Sequence, residues 1–133
     1  MNYVLDTSAA IEIAFSRKTA PFFSSILEKA NWVIAPDLFI PEAANVFWKY
    51  NNFQDLPIDL CEALLDQTLA LVDDFVNSRL LFQEAFALAC QAGRPVYDAL
   101  YLVVARRHNA TLLTRDKKLV KLGKKYSIKI AAQ

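Results

Sequence analysis

The sequence predicts an α/β protein: a mostly parallel sheet of four to five strands with helices covering both faces. Three observations carry that prediction. Short runs of strand-forming residues alternate with helical patterns from one end of the chain to the other, the signature of βαβ units. Hydrophobic residues make up 55% of the 133 residues and only two are Gly, which argues against disorder and against a loop-rich all-β fold. One late stretch, "VYDALYLVVARRH", is apolar almost all round, as a helix is when neighbours cover it on several sides.

Element by element, "NYVL" at Asn2–Leu5 reads as a short buried strand. Thr7 or Ser8 then caps a helix near Ala9–Phe15. A second helix covers about Pro21–Lys29, with Phe22, Phe23, Ile26 and Leu27 on one face. "WVIA" at Trp32–Ala35 is the second strand. Pro41 opens the next helix, because its missing N–H has no helical partner at a first position. Ala43, Ala44, Val46, Phe47 and Tyr50 supply its apolar face, and Asn51–Pro57 reads as a loop. A helix over Ile58–Leu69 leads into a weak third strand, "LALVDDF", at Leu69–Phe75. Asn77 or Ser78 starts a helix over Arg79–Ala92, and Gly93 stops it. Pro95 opens the apolar helix, "ATLLT" at Ala110–Thr114 is the fourth strand, and "DKKLVKLGKKY" is a short basic helix and turn. "IKIAA" at Ile128–Ala132 closes the set. No repeat, linker or low-complexity tract interrupts it, so one domain over residues 1–133 is expected.

No apolar run approaches the roughly 20 residues of a membrane span, and the start of the chain lacks a signal-peptide pattern. Cys61 and Cys90 lie in apolar, helical surroundings and are expected to be two reduced core thiols. A cytoplasmic protein is therefore expected. The net charge of +1 hides a partition. Residues 1–105 hold six Lys/Arg against thirteen Asp/Glu, and residues 106–133 hold nine against one. The basic segment suits either a polyanion or a plain solvated helix face.

In open parallel sheets, sites form beyond the carboxyl ends of the strands. Asp6 follows the first strand directly and Asp116 follows the fourth. Glu42 and Asp98 fall in the first turns of the helices opened by Pro41 and Pro95. Singly, each reads as a cap or as a first-turn acid that the helix dipole favours. Together they read as an acidic pocket. Asp98 in particular sits among apolar neighbours; Tyr101 and Leu102 lie one turn on, and Arg94 lies before the helix start. A lone buried carboxylate costs several kcal/mol unless something compensates, and a shared divalent cation is large enough to do so.

Oxygen donors select a hard ion, Mg2+ or Mn2+, and the single His108 with two unrelated cysteines argues against zinc. Such a site serves phosphoryl chemistry. Thr7, Ser8 and Thr114 are candidate supporting hydroxyls, and Asn45 could hydrogen-bond a carboxylate. Arg115, Lys117, Lys118, Lys121, Lys124 and Lys125 are candidate phosphate contacts, which position a strand without reading its sequence. His108 reads as a residue at a helix C-terminus, and cleavage by paired histidines is disfavoured. A phosphotransfer protein fits poorly: the second Asp of haloacid-dehalogenase-type phosphatases is Ser8 here, and the acidic pair of receiver domains is missing. A catalytically silent RNA- or protein-binding module stays open, with Trp48, Tyr50 and Phe53 as a candidate partner surface.

Taken in order, "YVLDTSA", "PEAANVF", "VYDALYLVVARRHNATLLTRD" and "KKLVKLG" resemble the PIN-domain ribonucleases, and within them the VapC-like toxins. The resemblance runs over almost the whole chain; no single piece is specific, but the ordered set is. It implies a small three-layer α/β/α sandwich and a Mg2+- or Mn2+-dependent ribonuclease that leaves a 5′-phosphate. Carried over by position, Asp6 and Asp98 would be the principal metal ligands, with Glu42 and Asp116 completing the cluster. The resemblance also implies a homodimer and a cognate antitoxin partner that occupies the active-site groove.

Overall fold

The computed structural model describes residues 1–133. Five strands, β1 (Asn2–Leu5), β2 (Trp32–Pro36), β3 (Asp74–Val76), β4 (Thr111–Leu113) and β5 (Ile130–Ala131), form one sheet in the order β3-β2-β1-β4-β5. Every pairing is parallel. Seven helices connect them: α1 (Thr7–Ala14), α2 (Ala20–Glu28), α3 (Phe39–Gln54), α4 (Ile58–Leu69), α5 (Phe82–Ala92), α6 (Val96–Arg107) and α7 (Lys117–Lys125). No helix is long and apolar enough to cross a membrane.

The two-residue period of the strands builds three layers. Val4, Ile34 and Leu112 point to one face and pack with Leu81, Leu88, Leu102, Val103 and Leu119. Leu5, Val33, Ala35 and Leu113 point to the other and pack with Ala9, Phe23, Phe39 and Ala43. Helices α5, α6 and α7 thus cover one side, and α1, α2 and α3 the other. α6, with seven consecutive buried residues from Ala99 to Ala105, is the covered central helix that its composition predicts.

Several boundaries differ from the sequence-based expectation, each for a local reason. β3 is Asp74–Val76 rather than Leu69–Phe75, because α4 runs on through Leu69, and Leu69 and Leu71 pack into the core instead of entering the sheet. α3 starts at Phe39, so Pro41 falls in its first turn, still among the amides that lack a helical acceptor. α3 also runs through Asn51–Gln54, expected as loop, and Asp55 ends it in the left-handed region at φ 54°. The expected helix at Arg79 opens as a 3₁₀ turn, Ser78–Leu80, capped by Asn77, before α5 begins at Phe82. Gly93, at φ 64°, ends α5. β5 is only Ile130–Ala131. Cys61 is buried, but Cys90 lies on the exposed side of α5, so only one thiol belongs to the core.

Gly123 packs α7 against the sheet edge: an added Cβ there would lie 2.5 Å from Ile130 Cδ1. Alanine gains about 1 kcal/mol of helix propensity but overpacks a tight contact at about 1–3 kcal/mol. Gly123→Ala is expected to lower stability by about 1 kcal/mol. In an Ile130→Val background, which lacks the methyl at 2.5 Å but keeps Cγ1 at 3.1 Å, the cost of the same change should shrink. Thermal melts of the four chains measure this directly.

Candidate active site

Asp6 sits where β1 ends. Its backbone N–H donates to Leu113 O at 2.9 Å, so the ends of β1 and β4 meet and bring Thr114 beside it. Asp6 is 8% exposed and no cation touches it. Instead Ser8 Oγ and Thr114 Oγ1 each donate to Oδ2 at 2.6 Å. Oδ1 has no side-chain donor. Burial pushes the Asp6 carboxyl above its ordinary value, the two hydroxyls oppose that, and the charge of Asp116 adds to it.

Glu42 reaches the same edge from the first turn of α3. Tyr101 donates its phenolic proton to Oε1 at 2.5 Å, and Thr7 Oγ1 donates to the same oxygen at 3.1 Å. Oε2 is left without a side-chain donor. Burial again raises the carboxyl, the Tyr101 bond opposes it, and the charges of Asp6 and Asp98 raise it further. Tyr101 is 2% exposed. Burial and the nearby Asp6 and Glu42 charges push its phenol well above its ordinary value of 10.0, so it stays a donor. These bonds explain why neither Thr7 nor Ser8 caps α1. Asp6 takes the cap position without a side-chain cap bond, and both hydroxyls are engaged across the site instead.

The other two candidate acids are less alone than their sequence context predicts. Asp98 is 23% exposed and pairs with Arg94 at 3.0 Å, so the expected uncompensated burial does not occur. Arg94 lies just before the helix start, four residues ahead of Asp98. Asp116 caps α7, accepting from the backbone of Lys118 at 2.9 Å and Leu119 at 3.4 Å. No three carboxylate, histidine or thiol groups lie close enough together to share one ion. Hydrogen bonds from Tyr101 and Thr7 engage Glu42, and the α7 amides and Arg94 engage the other two. Asn45 lines the cleft but makes no hydrogen bond to a carboxylate.

Asp6, Glu42 and Asp116 open onto a cleft of about 560 Å³ between α1 and α3. Its far end is cationic. Glu12, 5% exposed, receives Thr19 Oγ1 at 2.8 Å, Arg115 at 3.0 Å and, more distantly, Arg17 at 3.9 Å. Burial works against this charge, but the Thr19 and Arg115 bonds outweigh it and hold the carboxyl below its ordinary range. Glu12 and Tyr101 were not singled out by sequence reasoning. The signal for both was present: an acid inside "AAIEIAF", and a tyrosine in an apolar helix whose hydroxyl needs a partner once buried. On the α7 side, Arg94, Lys118, Lys121, Lys124 and Lys125 border a broad hollow of about 690 Å³.

The raised Asp6 and Glu42 values set a pH dependence. Between their ordinary values of 3.8 and 4.5 and the raised folded-state values, the folded chain holds more protons than the unfolded chain. Stability therefore falls as pH rises through that window. In EDTA, the thermal midpoint is expected to drop from mildly acidic toward neutral pH. A profile that rises over this range contradicts the assignment.

A family model described as the PIN domain matches residues 3–125. The chain belongs to the PIN domain family. It is 29% identical over 124 residues to Ribonuclease VapC3 of Pyrobaculum aerophilum, covering 90% of this chain and 92% of that protein. The fold matches a crystal structure from the same organism with a TM-score of 0.77 at 22% identity, over 98% of this chain and 83% of that one. It also matches a chain of Rickettsia felis VapBC2 bound to a DNA fragment from its promoter, with a TM-score of 0.69 at 17% identity, over 99% and 98% of the two chains. The parallel sheet, the α/β/α layering and the PIN-domain family therefore agree with the expectation from sequence.

Proposed function

We propose that this PIN domain is a divalent-metal-dependent ribonuclease, acting as the toxin of a VapBC-type pair. One observation carries the reading: two carboxylates without a cation, the buried Asp6 and the half-buried Glu42, each keep one oxygen free of side-chain donors at the mouth of an open cleft. That donor set fits Mg2+ or Mn2+, which need only one or two carboxylates and fill the remaining positions with water. Asp6 and Glu42 would hold the ion, with Asp98 and Asp116 contributing through water. A bound ion supplies charge that polarises a phosphate oxygen and makes water a better nucleophile.

The chain's own residues do the rest. Ser8 and Thr114 fix the Asp6 carboxylate, and Tyr101 and Thr7 fix Glu42. Water attacks phosphorus and the P–O3′ bond breaks, leaving the 5′-phosphate. Asp116, which contributes through water, takes the water proton, and solvent protonates the departing O3′. Arg115, held by Glu12, neutralises phosphate charge, and the α7 lysines hold the flanking backbone. The exposed Trp48, Phe53, Ile58 and Leu60 are the surface this reading gives to an antitoxin. The exposed Leu80, Phe82 and Phe86 are the surface it gives to a second copy of the chain. The domain acts as one unit over residues 1–133 in the cytoplasm.

The Arg94–Asp98 pair and the lack of a three-carboxylate cluster favour a second reading, a catalytically silent RNA- or protein-binding module. RNA incubated with the protein separates the two. Cleavage with Mg2+ or Mn2+ and none with EDTA is expected; binding without cleavage in every metal supports the silent module.

A further inference from the structure

The end of the cleft away from Asp6 carries a feature that the carboxylates do not use. Glu42, Val46 and Tyr50 lie at four-residue intervals on α3, so Tyr50 stands roughly 12 Å along the helix from Glu42 at about 1.5 Å per residue. Its ring packs at a tilt of 36° against Phe15 with centroids 4.6 Å apart, and Phe15 in turn rests on the buried Phe47 at 5.7 Å. Arg17 lies over both rings, its guanidinium carbon 4.9 Å from the Phe15 centroid and 5.7 Å from that of Tyr50. It also donates to the Tyr50 hydroxyl. Ser16, at φ 50°, takes the left-handed conformation in the turn that carries Arg17 back over α1. Glu12 does not require Arg17 as a partner, since Thr19 and Arg115 already engage it at shorter range. The Arg17 side chain is 42% exposed and both Arg17 and Tyr50 line the cleft.

An aromatic ring rooted in the core, with a planar cation beside it, is what an unstacked nucleobase binds. We infer that Arg17 and Tyr50 form a stacking subsite for an unpaired base of the RNA, near the cut, with Arg115 taking the phosphate between subsite and carboxylates. This rests on the ribonuclease reading and names the residues that would hold one base beside the cut. A base inside a duplex is already stacked on its neighbours and cannot present its face.

The test uses the full chain in EDTA and a fluorescein-labelled 12-nucleotide single-stranded RNA, with the same strand annealed to its complement as control. Arg17→Gln and Tyr50→Leu are each expected to weaken single-strand binding about tenfold, while Tyr50→Phe, which keeps the ring, changes it by less than about twofold. Duplex affinity should be the same for all four proteins. A scan of abasic nucleotides should find one position whose loss weakens binding to the wild type but not to Tyr50→Leu. If Arg17→Gln only lowers the melting temperature and leaves RNA affinity unchanged, Arg17 is a strut between α1 and α3 and the subsite does not exist. Failure of the wild type to bind the single strand also removes it. Cleavage in Mg2+, measured in parallel, keeps the two proposals separate: cutting that ignores both variants sinks the subsite alone, and selective binding without cutting sinks the nuclease alone.

Discussion

Asp6→Asn is expected to lower RNA cleavage by roughly 10²–10⁴-fold while raising the thermal stability of the metal-free protein. The two effects have one cause. Asp6 is 8% exposed and its neighbours are hydroxyls, not cations, so its charge is maintained at a cost to the fold. Asparagine keeps a carbonyl oxygen to accept from Ser8 and Thr114, so the local geometry survives while the charge goes. The carboxyl of Glu42 also relaxes toward its ordinary value once the neighbouring charge is gone. The stability gain should widen with rising pH, because the wild type loses stability in that direction. It should shrink in Mg2+ or Mn2+, which stabilise only a chain able to bind them. Melting curves in EDTA and in metal, alongside a cleavage assay, measure both arms. Wild-type cleavage by Asp6→Asn would remove this residue from the reaction.

Leu102→Ala carries the largest expected loss of stability. Leu102 is fully buried on α6, packs in the core with Val4, Ile34 and Leu112, and approaches Gly123 of α7. Its truncation removes buried apolar atoms and leaves a cavity that the surrounding sheet cannot close. A cost of about 2–5 kcal/mol follows, which for a domain of this size lowers the thermal midpoint by about 10 °C or more. α6 also carries Tyr101 and Asp98, but Leu102 itself faces the core. Cleavage by the folded variant, measured well below its midpoint, is therefore expected within a few-fold of wild type. Thermal unfolding and low-temperature cleavage should then separate, the reverse of the Asp6→Asn pattern. A loss below about 1 kcal/mol would mean that the α6 layer repacks, against the close packing described here.

The alternation of periods was legible along the chain. Val4 and Leu5 could be assigned to opposite faces of a strand, and the apolar run in α6 to a covered helix, because side-chain direction follows local backbone geometry. Strand ends were less legible. Leu69–Phe75 satisfies a strand pattern, yet α4 keeps Leu69, since tertiary packing decides between two local options of similar energy. The position of Asp6, Glu42, Asp98 and Asp116 at the carboxyl edge followed from topology alone. Their partners did not: Arg94 precedes α6, yet its side chain reaches Asp98 at 3.0 Å.

The sequence by itself determined the element types, the parallel three-layer architecture and the family, since these rest on periodicity and on the order of short motifs. Only the tertiary structure decided which charges stand alone. Asp6 meets Thr114, Thr7 meets Tyr101 and Glu12 meets Arg115 across separations of roughly a hundred residues. A hydrogen bond or ion pair depends on a few tenths of an ångström between groups that the folded sheet alone brings together. Local pattern therefore places a carboxylate at an edge, and packing sets its partner.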